Sequence, residues 1–182
     1  MQHVHGIFDT YAAASDAVNR LKETGVPARD ISIVSNDRTV DRARYGDYAY
    51  SDPADDTSSA AGAGAGLGAA AGGAAGLLAG LGIVAIPGIG PLLAAGWLAS
   101  TLVGAGAGAA AGGIVGALAG TGMSDEESHA YAEGIRRGGT VVTARVADGE
   151  ADRARAILKE GSYNLGERTQ SWRDDGWSGR YI

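Results

Sequence analysis

The stretch GIFDTYAAASDAVNRLKETGVPARDISIVS, residues 6–35, decides the fold, because it carries signals for a strand, a helix and a second strand. Alternation in HVHGIFD, residues 3–9, predicts the first strand. It places Val4, Gly6 and Phe8 on one face and His3, His5 and Ile7 on the other.

A helix is predicted next. Asp9 or Thr10 can cap its start, and Gly25 followed by Pro27 is a typical stop signal. Its apolar positions recur at helical spacing: Ala14, Ala17, Val18 and Leu21. DISIVS, residues 30–35, then predicts a second strand, so the sequence opens with a β-α-β unit.

The second half of the sequence repeats this alternation of elements. Ser124 and Glu127 predict a capping box, and Gly138 and Gly139 end the helix that follows. One face of that helix carries Ser128, Tyr131, Ala132 and Ile135. TVVTARV, residues 140–146, alternates as a strand, and Asp148 is predicted to cap a helix that Gly161 ends. The apolar face of this helix is Ala151, Ala154, Ile157 and Leu158, and SYNLGER, residues 162–168, is predicted as a last strand.

This order of elements predicts an α+β fold. It is a ferredoxin-like split β-α-β antiparallel sheet with two helices on one face and a long Ala/Gly-rich helical hairpin inserted between strands 2 and 3. Such an insertion is tolerated because loop-closure entropy grows only logarithmically with length. The predicted segments are 1–40 (first half of the domain), 41–58 (polar linker rich in Tyr and Asp), 59–122 (helical hairpin with its tip at 87–91), 123–169 (second half) and 170–182 (aromatic and Arg-containing tail).

Charge is unevenly distributed along the sequence. Its 182 residues include 15 Lys and Arg and 21 Asp and Glu, yet residues 57–124 contain none of these. The net charge of −6 and the lack of a basic segment argue against a nucleic-acid partner. Cysteine is absent and the N-terminus resembles no secretory signal, so we expect no disulfides and a cytoplasmic location.

Residues 6–35, together with AIPGIGPLLAAG at residues 85–96, resemble the bacterial general stress proteins with a heat-induced stress domain (17M-like). The resemblance covers both halves of the protein and the insertion, and AIPGIGP is its most specific part. It implies a stress-induced protein of a family without a defined activity, so it brings no catalytic residues. The positions that carry over are Gly6, Phe8, Asp9, Gly25, Ile31, Ser32 and Pro87 to Pro91, while the tail SWRDDGWSGRYI falls outside the family pattern.

The insertion contains two similar Gly/Ala-rich segments, residues 61–82 and 103–120, on either side of PGIGP. Each interior Gly costs a helix about 1 kcal/mol relative to Ala, so neither segment forms a stable helix alone. Glycine at every fourth residue gives each helix a smooth groove in which two backbones can pack closely. The predicted positions of this glycine zipper are Gly64, Gly68, Gly72, Gly76, Gly80, Gly104, Gly108, Gly112, Gly116 and Gly120.

Three other interpretations of the glycines are weaker. Gly66, Gly68 and Ala71 fit a dinucleotide-binding pattern, but no predicted strand precedes them. A silk-like sheet would need the alternation at residues 61–66 to continue, and it breaks after Leu67. A disordered linker is disfavoured because residues 77–103 are too apolar to stay solvated.

The predicted tip of the hairpin is the most apolar part of the protein, and an exposed patch of this kind requires a protein or membrane partner. The acidic flanks favour self-association, with bilayer insertion as the alternative. The predicted assembly residues at this end are Leu81, Ile86, Pro87, Ile89, Pro91, Leu93 and Trp97. Aromatic and Arg side chains are typical interface anchors, and further contacts are predicted for Trp172, Arg173, Trp177 and Tyr181 in the tail.

Candidates for chemistry are few. His3, His5 and His129 could supply imidazoles to a metal, but an exposed strand beside a polar helix explains them better. We therefore expect no catalytic, cofactor or metal site. The sequence predicts a non-enzymatic stress-response protein that forms a homo-oligomer through its hairpin. The alternatives are a membrane-associated stress protein and, less favoured, an enzyme or small-ligand binder that uses an open sheet face.

Overall fold

The computed structural model describes residues 1–36, 82–86, 90–98 and 112–181. These residues form one five-stranded sheet with helices packed on both faces. The strands are β1 (Gln2–Phe8), β2 (Ile31–Ser35), β3 (Gly82–Ile86), β4 (Gly90–Ala95) and β5 (Thr140–Val146). The helices are α1 (Tyr11–Glu23), α2 (Gly112–Ala119), α3 (Asp125–Arg136), α4 (Ala151–Gly161) and α5 (Leu165–Asp174), and short 3-10 turns at Ala28–Asp30 and Asp148–Glu150 precede β2 and α4.

The strand order across the sheet is β1-β5-β2-β4-β3, and every neighbouring pair is antiparallel. Because β1 and β2 both run opposite to β5, they are parallel to each other and one strand apart. This is a split β-α-β arrangement with α1 as the crossover. The predicted α+β class and antiparallel sheet are confirmed.

One face of the sheet packs against α1 and α4. Thr10 caps α1 by accepting a hydrogen bond from the Ala13 N–H, and Gly25 ends the turn after it with φ +96°. The predicted apolar faces of both helices are buried against Val4 and Phe8 of β1. The predicted cap at Asp148 is wrong, because that residue begins a 3-10 turn and α4 starts after Glu150.

The opposite face of the sheet is covered by α2, α3 and the C-terminal tail. Ile7, Val34 and Val141 from the sheet share this second core with residues of the helices and tail: Ile114, Leu118, Ala132, Ile135 and Tyr181. The predicted capping box of α3 is confirmed at Ser124 and Glu127. The sequence analysis expected two helices on one face, and α1 and α4 lie there together; the opposite face is covered as well, because α3 and its neighbours also have an apolar side to bury.

The predicted helical tip is also wrong in the described part of the insertion. Residues 82–86 and 90–95 form the hairpin β3–β4, which extends the sheet through pairing of β4 with β2. Leu92 and Leu98 are buried in the second core, so these two side chains pack on their own domain instead of projecting from it. The last part of the predicted second arm is helical, as α2.

Several predictions fall outside the described residues. These are the linker at 41–58, the tip residues Leu81, Pro87 and Ile89, and the zipper positions Gly64, Gly68, Gly72, Gly76, Gly80, Gly104 and Gly108.

The predicted last strand, residues 162–168, is wrong. Asn164 instead caps α5, accepting hydrogen bonds from the Gly166 and Glu167 N–H groups. Just before this cap the backbone passes the outer edge of β1, where the Tyr163 N–H donates to the Ile7 carbonyl at 3.0 Å. The described residues therefore supply no strand beside β1 at the position of a fourth ferredoxin-like strand.

Gly96 provides a test of the hairpin's position. A Cβ built there lies 2.3 Å from the Ile31 carbonyl oxygen, at φ +86°, whereas a Cβ at Gly25, φ +96°, meets no described atom within 4 Å. Both Gly96→Ala and Gly25→Ala carry the left-handed backbone cost of about 1–2 kcal/mol. We expect Gly96→Ala to lower the free energy of unfolding in urea by at least about 2 kcal/mol more, because the clash adds to this cost. Equal effects of the two substitutions would show that the hairpin does not dock on β2.

Candidate functional site

Hydrogen bonding at Ile7 fixes the direction of every backbone group in the sheet. In an antiparallel ladder the N–H and C=O of one residue point to the same side, and that side alternates along the strand. Since the Ile7 carbonyl accepts from Tyr163 at the outer edge, residues 3, 5 and 7 turn their backbone groups outward and residues 2, 4, 6 and 8 face β5.

The strand registers extend this alternation across the sheet, so they also determine which backbone groups of β3 point outward at the other edge. Ile83 and Ala85 turn their N–H and C=O groups away from β4, and Val84 pairs with Leu92 toward it. Pro91 has no N–H and lies opposite Ala85, at a position that gives no hydrogen bond to β3. The sequence of β3, GIVAI, contains no charge.

Two of the zipper positions lie on the surface of the domain. Gly116 of α2 and Gly120, just after its end, are exposed, while Ile114 and Leu118 of the helix are buried. No described atom outside the helix's own backbone lies within 4 Å of a Cβ built at Gly116. Gly116 thus makes no close packing contact within the described domain.

A polar cleft of about 340 Å³ lies beside the start of β1. His3 and His5 stand in it with nearly parallel rings whose centroids are 6.5 Å apart. Thr121, from the loop between α2 and α3, lines its rim. Glu127 and Tyr131 of α3 form one wall, and Arg155 of α4 lies on the opposite side of β1.

His5 is held in the cleft as a neutral imidazole. The Thr121 hydroxyl donates its proton to the Leu118 carbonyl at 2.6 Å, so its oxygen accepts from the Nε2–H of His5 at 3.5 Å. With the proton of His5 on Nε2, its Nδ1 accepts a hydrogen bond from the Thr143 hydroxyl at 3.3 Å. Burial, reinforced by His3, lowers the pKa of His5 to about 4. Burial likewise raises the pKa of the neighbouring Tyr131 to about 12.

Beside the cleft, aromatic and cationic groups continue along the same face of the sheet. The Trp97 ring centroid lies 5.5 Å from that of His3, and the Arg145 guanidinium stands over the Trp97 ring at 5.1 Å. Arg145 also pairs with the carboxylate of Asp30 at 2.8 Å. Trp97, a predicted assembly residue, is thus half-buried against its own domain.

Residues 3–83 match the family model described as heat induced stress protein YflT domain. Over these residues the sequence is similar to heat-induced stress protein domains. The resemblance to the bacterial general stress proteins is therefore confirmed for the first half of the protein, and a general stress-response role follows from it. No curated protein and no solved structure shows a significant match to the sequence.

The matched region does not contain the whole sheet. Among the described residues, β1 and β2 pair with one strand in common, β5 (Thr140–Val146), which lies beyond the matched region. The residues that follow the match are therefore part of the same folded unit.

The C-terminal tail packs on α3 of the same molecule. Trp172 is buried beneath the Arg137 guanidinium at 5.2 Å and meets the Trp177 ring edge-on at 6.0 Å. Tyr181 is buried, and its N–H donates to His129 Nδ1 at 2.9 Å. Arg173 is exposed, and its guanidinium lies 5.9 Å from the Trp177 centroid. Contacts of Trp172 or Tyr181 with a second molecule would thus require the tail to detach.

A buried carboxylate anchors this end of α3. Glu133 is only 2% exposed, and it accepts hydrogen bonds from Arg136 at 2.5 and 2.7 Å and from Arg137 at 2.6 Å. Burial raises the pKa of Glu133, but these hydrogen bonds outweigh it and hold that pKa below its usual value. This cluster was not predicted from the sequence, although Glu133 and the two arginines lie at helical spacing, three and four residues apart.

The structure separates the three histidines. His3 and His5 share the cleft, whereas His129 lies under the tail with Nε2 3.8 Å from Asp125. Within the described ranges, no group of three His, Asp or Glu residues is arranged to hold a metal. The expectation that these residues bind no metal stays a prediction.

Membrane association also stays a prediction. Of the helices that the structure describes, none is both long and apolar enough to span a bilayer.

The buried state of His5 predicts a pH dependence of stability. Its folded pKa of about 4 lies below the ordinary value of 6.5, so its contribution is complete above pH 6.5 and is lost as the pH falls toward 4. Between about pH 7 and pH 5 the wild type should lose roughly 2 kcal/mol of unfolding free energy from this residue. Urea titrations of wild type and His5→Gln measure it. Identical pH profiles for the two proteins would contradict the assignment.

Proposed function

We propose that this is a non-enzymatic stress-response protein that forms homo-oligomers through its insertion, with β3 as the contact. The observation that carries this proposal is the outward row of backbone groups at Ile83 and Ala85 on an uncharged edge strand. Native sheets commonly protect such an edge with Lys, Pro or a bulge, because unpaired N–H and C=O groups are a template for a further strand. GIVAI carries no such protection in its sequence.

Pairing of β3 with β3 of a second copy satisfies these groups. An antiparallel pair centred on Val84 places Ile83 of each copy opposite Ala85 of the other, and both residues then exchange hydrogen bonds. The arrangement has two-fold symmetry, as most homodimers do. Neither strand brings a charge into the contact, so no like-charge repulsion opposes it locally although each copy has a net charge of −6.

Assembly of this kind suits a heat-induced protein. By mass action, a rise in the concentration of the protein shifts the equilibrium from separate molecules toward the oligomer. Induction of synthesis would then itself drive assembly, without a ligand. The exposed Gly116 and Gly120 leave the predicted glycine zipper available as a second contact, which stays a prediction.

Proline substitution along β3 tests the contact. Ala85→Pro removes an outward N–H and leaves the hydrogen bonds to β4 in place, so we expect molecules that stay folded and sediment as monomers. Ala85→Val keeps the N–H and should stay oligomeric. Val84→Pro removes a hydrogen bond to β4 instead, and should lower the free energy of unfolding, which Ala85→Pro leaves nearly unchanged. Sedimentation equilibrium and urea unfolding of all three variants provide the readouts.

An oligomeric Ala85→Pro protein, or a monomeric wild type, would show that β3 is not the interface. Gly108→Leu, which blocks close helix approach, would then be the test of the zipper contact.

A further inference from the structure

The outer edge of β1 is the second edge of the sheet that no described strand covers, and it differs from β3 because it lies in a cleft. His3 and His5 turn their N–H and C=O groups outward, and no described residue pairs with them. Four backbone groups thus stand in a row at strand spacing, donor and acceptor in alternation. This is the pattern that the backbone of an extended peptide complements.

The walls of the cleft limit what can approach this edge. Glu127 and Tyr131 of α3 stand on one side and Arg155 of α4 on the other, and the passage of the backbone at Tyr163 closes the end near Ile7. The open stretch is about three residues, or roughly 10 Å, long. A β1 strand from a second copy would bring its own two helices with it, so the walls obstruct pairing between copies. A single extended peptide needs no such clearance.

The charge on the walls is unbalanced. Arg155 pairs with Asp152 at 2.7 Å and donates to the Gln2 side chain, so its charge is compensated. Glu127 uses Oε2 for the capping box with Ser124, while Oε1 has no partner among the described residues. The free charge at the cleft is therefore the negative charge of Glu127.

We propose that the outer edge of β1 binds an extended peptide segment of a partner protein as an added strand, with a Lys or Arg side chain of that segment directed to Glu127. Backbone hydrogen bonds to His3 and His5 supply the affinity, and Glu127 selects a basic side chain. The two imidazoles and Tyr131 form the floor and wall beside it. This contact lies at the opposite edge of the sheet from β3 and does not rest on the proposed assembly.

Synthetic peptides test the inference on the full-length protein. The probe is fluorescein-labelled Val-Lys-Val-Lys-Val, compared with the same peptide N-methylated at alternate residues and with Val-Glu-Val-Glu-Val. We expect saturable fluorescence anisotropy with the basic peptide and at least about tenfold weaker binding after N-methylation, because the backbone hydrogen bonds are lost. The acidic peptide should also bind more weakly.

Matched variants locate the contact. His3→Pro removes the outward N–H and should weaken binding by about fivefold relative to His3→Ala, which removes the same imidazole but keeps that N–H. Glu127→Gln retains a capping-box acceptor and should weaken the basic peptide by about threefold or more. Glu126→Gln, next along α3 and paired with Arg173, should have no effect.

Several results would overturn the inference. One is the absence of saturable binding by the basic peptide, and another is equal binding of the N-methylated peptide to the wild type. The latter comparison holds even if His3→Pro does not fold. If the His3→Pro variant without peptide sediments with a lower mass than the wild type, this edge instead mediates contacts between copies. Since Ala85→Pro leaves the cleft intact, loss of assembly and loss of peptide binding are separately measurable.

Discussion

β1 and β2 run parallel and lie one strand apart, so no hydrogen bond can join them directly and the sheet depends on β5 between them. Six of the seven residues of β5 are buried. The strand also carries hydroxyl groups that pair inside the sheet: Thr140 with Ser35 at 2.6 Å, and Thr143 with His5. Buried polar groups cost free energy unless they are hydrogen-bonded, so a shift of register would leave them unpaired. β5 therefore sets the alignment of both neighbours as well as joining them.

Different parts of the protein cover the two faces of the sheet. α1 and α4 cover one face and come from the two halves on either side of the insertion. α2, α3 and the tail cover the other face and also bury Leu92 and Leu98 of the insertion. Residues 82–86 and 90–95 thus extend the sheet, whose edges among the described residues are β1 and β3.

Sequence reasoning predicted the elements whose signals are local. The alternation in β1 and β5, the spacing of Ala14, Val18 and Leu21, and the capping box at Ser124 are each contained in a few residues, and the structure confirms them. The hairpin β3–β4 was missed because a short apolar run reads as helix or strand equally well, and flanking Ala and Gly favoured helix. The strand conformation of residues 90–95 is stabilised by pairing with β2, which lies about 60 residues earlier in the sequence. A local sequence pattern carries no information about such a distant partner.

For the candidate sites, too, local features were predictable from the sequence and those that depend on distant residues were not. The pairing of His3 with His5 on one face was predictable from alternation alone, and the structure places both in the cleft beside β1. That residues 162–168 form no strand was not predictable, because Asn164 with Glu167 is a helix cap inside a segment that was read as a strand. That one misread segment determined whether the outer edge of β1 was expected to be paired or open. Likewise, Glu133 became important only through its burial under the tail, which depends on tertiary packing.

The position of β5 in the sequence has a consequence for synthesis on the ribosome. β1 pairs with a strand whose residues lie about 140 positions later, and β2 pairs with the same strand. β1 cannot enter its ladder with β5, and β2 can form only its ladder with β4, until residues 140–146 have left the exit tunnel. During this interval the apolar faces of β1 and α1 are present on a nascent polypeptide that has no central strand, and ribosome-associated chaperones are placed to meet them. The high contact order that results makes sheet closure a late, slow step in the maturation of every molecule.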